Sequence, residues 1–306
     1  MSRRKRTTIS PSTTFSEGYE QFMLRCRAKN LRENTIKTYE QHLNQLRKFL
    51  IENQHPMLLA EITTNDLRLY IAELMSSGVS DVTVASRVRT VKVFFNFLAS
   101  EEILPDNPVD KLEKIKVDEP GIFVLNAGQI KRLLKQPDQK QFAGFRDYVI
   151  MCVMLDTGIR LSELLSLRIK DYVGSHFILE HTKNRKRRVL PVGKRLQELM
   201  NKYLAIRAGD PNEYLFCNVL DEHLKPRTLQ ERIKNYGKQA NIEGVRVSPH
   251  TLRHTFATQY LLNGGDMVSL QEILGHSSLE MVRRYVNYLH EDIQRQHKKF
   301  SPLDRF

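Results

Sequence analysis

Apolar residues recur through the first hundred positions at the spacing of one helical face. Phe15, Tyr19, Phe22, Met23 and Cys26 form one stripe, with Thr14 or Ser16 placed to cap its start. Tyr39, Leu43, Leu46 and Leu50 form a second, Leu67, Ile71 and Leu74 a shorter third, and Val84, Val88, Val91, Phe95 and Leu98 a fourth. Four amphipathic helices joined by short connectors such as Ser76-Ser77-Gly78 predict an all-α bundle over residues 13–103. The pattern then breaks at Leu104-Pro105-Asp106-Asn107-Pro108, and a charged stretch closes with Glu119-Pro120-Gly121. Residues 104–121 read as an interdomain linker, because proline interrupts helices and the polar residues offer little to bury.

From residue 122 to 306 the pattern is mixed. A helix starting at Asn126 or Ala127 runs to Leu134, and a strongly apolar one spans Phe145 to Leu155; Thr157-Gly158 interrupts before Ile159 to Leu167 resumes the period. Two β-prone segments, His176 to Leu179 and Arg188 to Val192, flank Lys183-Asn184-Arg185-Lys186-Arg187-Arg188 and predict a hairpin. Helical spacing returns over 193–206, 226–240, 251–262 and 268–275, with a shorter helix at 279–284 and a terminal one over 287–300. The fold class is therefore mainly α with a small β-sheet: an all-α N-terminal bundle followed by an α+β domain.

The length of 306 residues suits two domains, and 41% apolar with 27% charged residues is ordinary for folded chains. The longest apolar run, Tyr148 to Leu155, is far short of a membrane span. Residues 1–12 begin with a basic run that no apolar stretch follows, so they read as a basic flexible tail, with neither secretion nor a membrane partner expected. Cys26, Cys152 and Cys217 lack metal or redox spacing and are expected to be free thiols in a reducing cytoplasm. The formal charge of +13 predicts a polyanionic partner, nucleic acid being the commonest. Up to residue 116 there are 18 basic and 14 acidic residues, against 30 and 21 beyond it, so more phosphate contacts are expected in the second domain.

Three segments carry polar residues among apolar ones: Thr157-Gly158-Ile159-Arg160-Leu161-Ser162-Glu163-Leu164, His250-Thr251-Leu252-Arg253-His254, and Leu274-Gly275-His276 followed nine residues later by Tyr285. An arginine beside core-forming residues is costly to bury unless an anion meets it, and Glu163, one turn after Arg160, is a candidate partner. Together, two arginines, imidazoles, a lysine and a tyrosine suit phosphoryl transfer through a covalent intermediate without a metal or other cofactor. Guanidinium forks match nonbridging phosphate oxygens, a phenolic oxygen can attack phosphorus, and a hairpin lysine can protonate the leaving alkoxide. His254 lies four residues after His250, a spacing that can hold zinc, but no intervening glutamate or third ligand accompanies it.

These segments resemble the tyrosine recombinases of the phage-integrase and Xer-like family, and the resemblance covers both domains. It implies a core-binding, SAM-like helical domain over 13–103 and a tyrosine-recombinase catalytic domain over 122–306, the two clamping a DNA duplex. It implies Arg160 and Arg253 as the catalytic arginines, Glu163 as a supporting acid, His250 and His276 as catalytic imidazoles and Tyr285 as nucleophile. His250 is also a candidate acceptor of the tyrosine proton. Lys183 aligns with the hairpin lysine of the family, but Thr182 and Asn184 replace the glycines that often flank it, leaving Lys186 as a competitor. Val282 stands where a threonine is common, and Tyr288 is the rival of Tyr285. Arg185, Lys186, Arg187 and Arg188 are expected to bind DNA.

The implied activity is site-specific DNA recombination through a 3′-phosphotyrosyl intermediate and a Holliday junction, serving chromosome dimer resolution or mobile-element integration and excision. The implied partners are double-stranded DNA with inverted half-sites and three further copies of the chain. Four protomers would hold two duplexes, with cyclic exchange of the C-terminal helix, in a nucleoid-associated cytoplasmic complex; whether that helix docks on the neighbour or within its own chain, and whether an accessory protein takes part, stay open. A type IB topoisomerase-like activity or a catalytically silent DNA-binding regulator are the alternatives.

Overall fold

The computed structural model describes residues 13–104, 106–117, 121, 123–180, 187–276, 278–286, 297, 301 and 303. The chain divides into two compact units, residues 1–120 and 121–306. In the first, α1 (Phe15–Ala28), α2 (Glu33–Glu52), α3 (Thr64–Ser76) and α4 (Asp81–Ser100) are the four helices that the apolar stripes predict. Thr14 starts α1 through a capping box: its hydroxyl accepts from the Glu17 amide at 3.3 Å, and the Glu17 carboxylate accepts from the Thr14 amide at 2.7 Å. Thr63 and Asp66 repeat the device at the start of α3. Phe22 lies at the centre of the core, its ring 5.5 Å from those of Phe94, Phe97 and Tyr39.

The linker expected at 104–121 starts later than its polarity suggests. Leu104, Val109 and Leu112 are buried in the core of the first unit, and Lys92 Nζ on α4 donates to the Leu112 carbonyl at 2.6 Å. A turn over 107–112, closed by the Leu112 amide on the Val109 carbonyl at 3.1 Å, brings these apolar residues to one side. Three anchors spread among charged residues are enough to hold the segment down, and their spacing matches neither a helix nor a strand.

In the second unit, α5 (Ala127–Leu134) is capped by Asn126, and α6 (Phe142–Thr157) is the central helix. Val149, Ile150, Met151, Val153 and Met154 are all fully buried, while Phe145, Tyr148, Cys152 and Leu155 form a half-buried stripe on one face beside exposed Asp156. α7 (Leu161–Ser166) precedes β1 (His176–Leu179) and β2 (Arg188–Pro191), an antiparallel pair in which Phe177 faces Leu190 and Leu179 faces Arg188. α8 (Lys194–Arg207), α9 (Pro226–Gln239), α10 (Pro249–Leu262), α11 (Met267–Leu274) and α12 (Glu280–Val286) complete the described elements. α10 and α8 pack against α6. Fully buried Asp147 ties α6 to α9: Arg146 donates to it at 2.7 Å, Tyr236 hydroxyl at 2.9 Å, and Arg232 also reaches it. Among the described residues no helix is long and apolar enough to cross a membrane.

Leu46, fully buried in α2, tests the first core. Leu46→Ala should lower stability by about 2–5 kcal/mol, seen as a lower urea midpoint in the unfolding of this unit.

Candidate active site

The site grows from two helix C-termini. α6 ends at Gly158 and α11 at Gly275, both left-handed at φ 60°. At Gly158 a Cβ would collide with the Phe256 ring and at Gly275 with the Arg188 guanidinium, and the positive φ favours glycine at both turns. The carbonyls left free at these ends carry the negative pole of the helix dipole and attract cations. Arg253, on α10, donates to the Gly158 carbonyl and, at 2.9 Å, to that of Leu274. Arg160, immediately before α7, donates to the Gly275 carbonyl at 2.9 Å.

Glu163, 3% exposed, is shared between two more guanidinium contacts. Its Oε1 accepts from Arg160 Nη1 at 2.9 Å and its Oε2 from Arg188 Nη2 at 2.8 Å, while Oε2 also accepts from the Arg160 amide at 3.2 Å. Arg188 is drawn inward from β2, and its buried Nε has no partner among the described residues. Burial lowers the affinity of Arg188 for its proton, against the pull of Glu163. Burial, and then the Arg160 charge, bring Arg253 down to about 10. Three guanidiniums thus gather around one carboxylate in a partly desolvated space, an arrangement that favours an entering anion.

Two imidazoles and a phenol border this charge. His276 Nε2 lies 2.9 Å from Arg253 Nη2. A guanidinium only donates, so Nε2 accepts and the ring proton sits on Nδ1, which is buried without a partner among the described residues. Burial, then Arg253, press His276 down to about 3. The Tyr285 ring, on α12 and 3% exposed, lies nearly parallel to the His276 ring at a centroid distance of 6.5 Å. Its hydroxyl is 3.0 Å from His254 Nδ1. Burial raises the Tyr285 phenol above its usual range, opposed by Arg253, Arg284 and Arg160.

Of the residues singled out by sequence, Arg160, Glu163, Arg253, His276 and Tyr285 come together here. His250 stands apart from this hydrogen-bonded set, exposed in the first turn of α10, where it lines a groove of about 560 Å³ with Arg227, Lys234 and Arg246. Lys183, Arg185, Lys186 and Tyr288 lie outside the described residues. Of the two described residues expected to bind DNA, Arg187 is exposed, whereas the Arg188 side chain is 12% exposed and paired with Glu163. Strand alternation gave that signal, since Arg188 shares a face with buried Leu190 while Val189 between them is exposed. His254, set aside as a zinc ligand, touches the phenol. No local pattern announces a contact between residues 254 and 285; it exists because α10 packs on α12.

Residues 124–292 match the phage integrase family, and residues 19–102 match the N-terminal SAM-like domain of phage integrases. The chain is 29% identical over 280 residues to the tyrosine recombinase XerD of Staphylococcus aureus, covering 90% of this chain and 94% of that protein. Among solved structures, the XerA recombinase is 27% identical with a TM-score of 0.52, over 94% of this chain and 99% of that one. A lambda integrase dimer bound to a COC′ core site shares the fold at a TM-score of 0.77 and 18% identity, over 89% of this chain and 95% of that one.

Glu163→Ala should cost on the order of 3 kcal/mol, because it leaves Arg160 and Arg188 without their carboxylate; denaturant unfolding reads it. Stability should also fall with acid. His276 titrates at about 3 in the folded chain against 6.5 when free, and His254 at about 4. An unfolded chain therefore takes up protons below pH 6.5 that the folded chain refuses, and stability present above that pH is lost progressively as pH falls towards 4. The melting temperature should drop across this window, and less steeply in His276→Asn.

Proposed function

The chain belongs to the phage integrase family, and on that premise we propose that it is a tyrosine-type site-specific DNA recombinase whose nucleophile is Tyr285. The observation that carries the assignment is the placement of this phenol against Arg253, Arg160 and two imidazoles in one desolvated cluster. A scissile phosphodiester held by the two arginines has its nonbridging oxygens met by guanidinium forks, which stabilise the extra charge of a pentacoordinate phosphorus. The Tyr285 oxygen attacks, the bond from phosphorus to the 5′ oxygen breaks, and a 3′-phosphotyrosyl ester remains. That ester keeps the energy of the cleaved bond, so a 5′-hydroxyl from a partner strand reverses the step without an external energy source.

The supporting roles follow from position. Glu163 orients Arg160 through side chain and backbone together. His276 orients Arg253 and leaves its protonated Nδ1 as a donor for a phosphate oxygen. His250, with Arg246 and Lys234 along the adjoining groove, meets the sugar-phosphate backbone from the open side. Lys183 of the hairpin protonates the leaving 5′ oxygen, with Lys186 its competitor, and the exposed Arg187 beside it adds a phosphate contact.

The substrate is double-stranded DNA with inverted half-sites. A homotetramer on two duplexes exchanges strands through a Holliday junction, in chromosome dimer resolution or in the movement of a mobile element. That complex works on the nucleoid in the cytoplasm.

On a nicked suicide substrate the wild-type chain should form a protein–DNA adduct that survives denaturant, and Tyr285→Phe should bind the same DNA without forming any. An adduct that persists in Tyr285→Phe moves the nucleophile to Tyr288. Relaxation of supercoiled DNA lacking paired sites, with no strand exchange, would replace recombination by topoisomerase-like action.

A further inference from the structure

As the Tyr285 oxygen bonds to phosphorus its proton must leave, and the neighbours of the phenol differ in their ability to take it. Arg253 and Arg160 have only donors. His276 has its one free lone pair committed to the Arg253 guanidinium, and its ring lies parallel to the phenol at 6.5 Å. His250 is exposed and outside the hydrogen-bonded set. His254 places Nδ1 3.0 Å from Tyr285 Oη, within range for direct proton transfer.

From this geometry we infer that His254 is a catalytic residue of strand cleavage: its Nδ1 accepts the Tyr285 proton as the phenolic oxygen attacks, and returns it on religation. The inference rests on Tyr285 as nucleophile. In the step the Oη–P bond forms and the P–O5′ bond breaks. The phenolic proton passes to Nδ1, giving an imidazolium, and the leaving 5′ alkoxide takes a proton from the hairpin ammonium assigned to Lys183. Strand joining runs the same transfers backwards, so charge and protons balance in each direction.

The charged and titratable groups facing His254 are His250 and Arg253 on its own helix, Arg284 and Tyr285 on α12, and His276 beyond α11. Burial first, then His250, Arg253 and Arg284, hold it to about 4, so it is neutral with a free lone pair at neutral pH. A phosphodiester anion between the arginines cancels part of that positive field and makes the imidazole more basic when a base is needed.

His254→Asn separates proton acceptance from hydrogen bonding, because an amide oxygen can accept the phenolic hydrogen bond but cannot hold the proton. On the nicked substrate, His254→Asn should form adduct about 10²–10⁴-fold more slowly with DNA affinity unchanged. The deficit should narrow as pH rises and hydroxide replaces the base, and added imidazole should restore part of the rate in His254→Ala. Wild-type rate and pH profile in His254→Asn would overturn the inference. So would a pH-independent loss that imidazole does not rescue, accompanied by a lower melting temperature, since that pattern marks a packing role. Tyr285→Phe in the same assay separates the two readings: an adduct there removes the nucleophile itself, whereas its absence beside a fully active His254→Asn removes only the base.

Discussion

Glu163 holds two guanidiniums at 2.9 and 2.8 Å, and a third, that of Arg253, lies close enough to both for their charges to depress its proton affinity. Like charges repel strongly when partly withdrawn from water, and one carboxylate cannot neutralise three cations. The remaining attraction comes from backbone. Arg253 and Arg160 each end on carbonyls at the C-termini of α6 and α11, where the helix dipole is negative. Each such contribution is small and depends on distance, so the arginines are held only while both helices end where they do.

That dependence explains the form of the surrounding fold. α6 sends most of its side chains into the core of the second unit, which fixes its position and that of its end. The left-handed turn at Gly158 lets the Phe256 ring of α10 approach so closely that any side chain there would displace it, which brings Arg253 onto the Gly158 carbonyl. Gly275 performs the same service for Arg188 while offering its carbonyl to Arg160. The two glycines thus border the cluster, each offering its carbonyl to one of the arginines.

Much of this architecture is legible in the sequence, for identifiable reasons. The four N-terminal helices and α6 announce themselves because each buries a continuous stripe, and periodicity reports burial. The segment from Leu104 to Leu112 does not, since its three anchors follow a turn's spacing. Within the site, Arg160 and Glu163 are three residues apart at the start of α7, so their pairing is local and visible. Arg188 hides in a basic run, where composition suggests solvent although strand alternation points inward. The contact of His254 with Tyr285 spans 31 residues and depends wholly on the packing of α10 against α12.

The same charge has opposite consequences before and after an anion arrives. In the structure described, burial and the guanidiniums act together on the imidazoles, which leaves both His254 and His276 neutral at neutral pH. On Tyr285 the two influences conflict: burial favours the neutral phenol, while Arg253, Arg284 and Arg160 favour its anion. Adding a phosphodiester removes net positive charge from the cluster, which raises the basicity of the imidazoles and weakens the arginines' hold on a free phenolate. A phenolate formed in advance would then be poorly stabilised. Removing the proton during attack avoids that state, because the negative charge passes directly from oxygen to the phosphoryl oxygens that the guanidiniums already grip. An arginine-rich site around a buried tyrosine therefore favours a concerted transfer over prior ionisation.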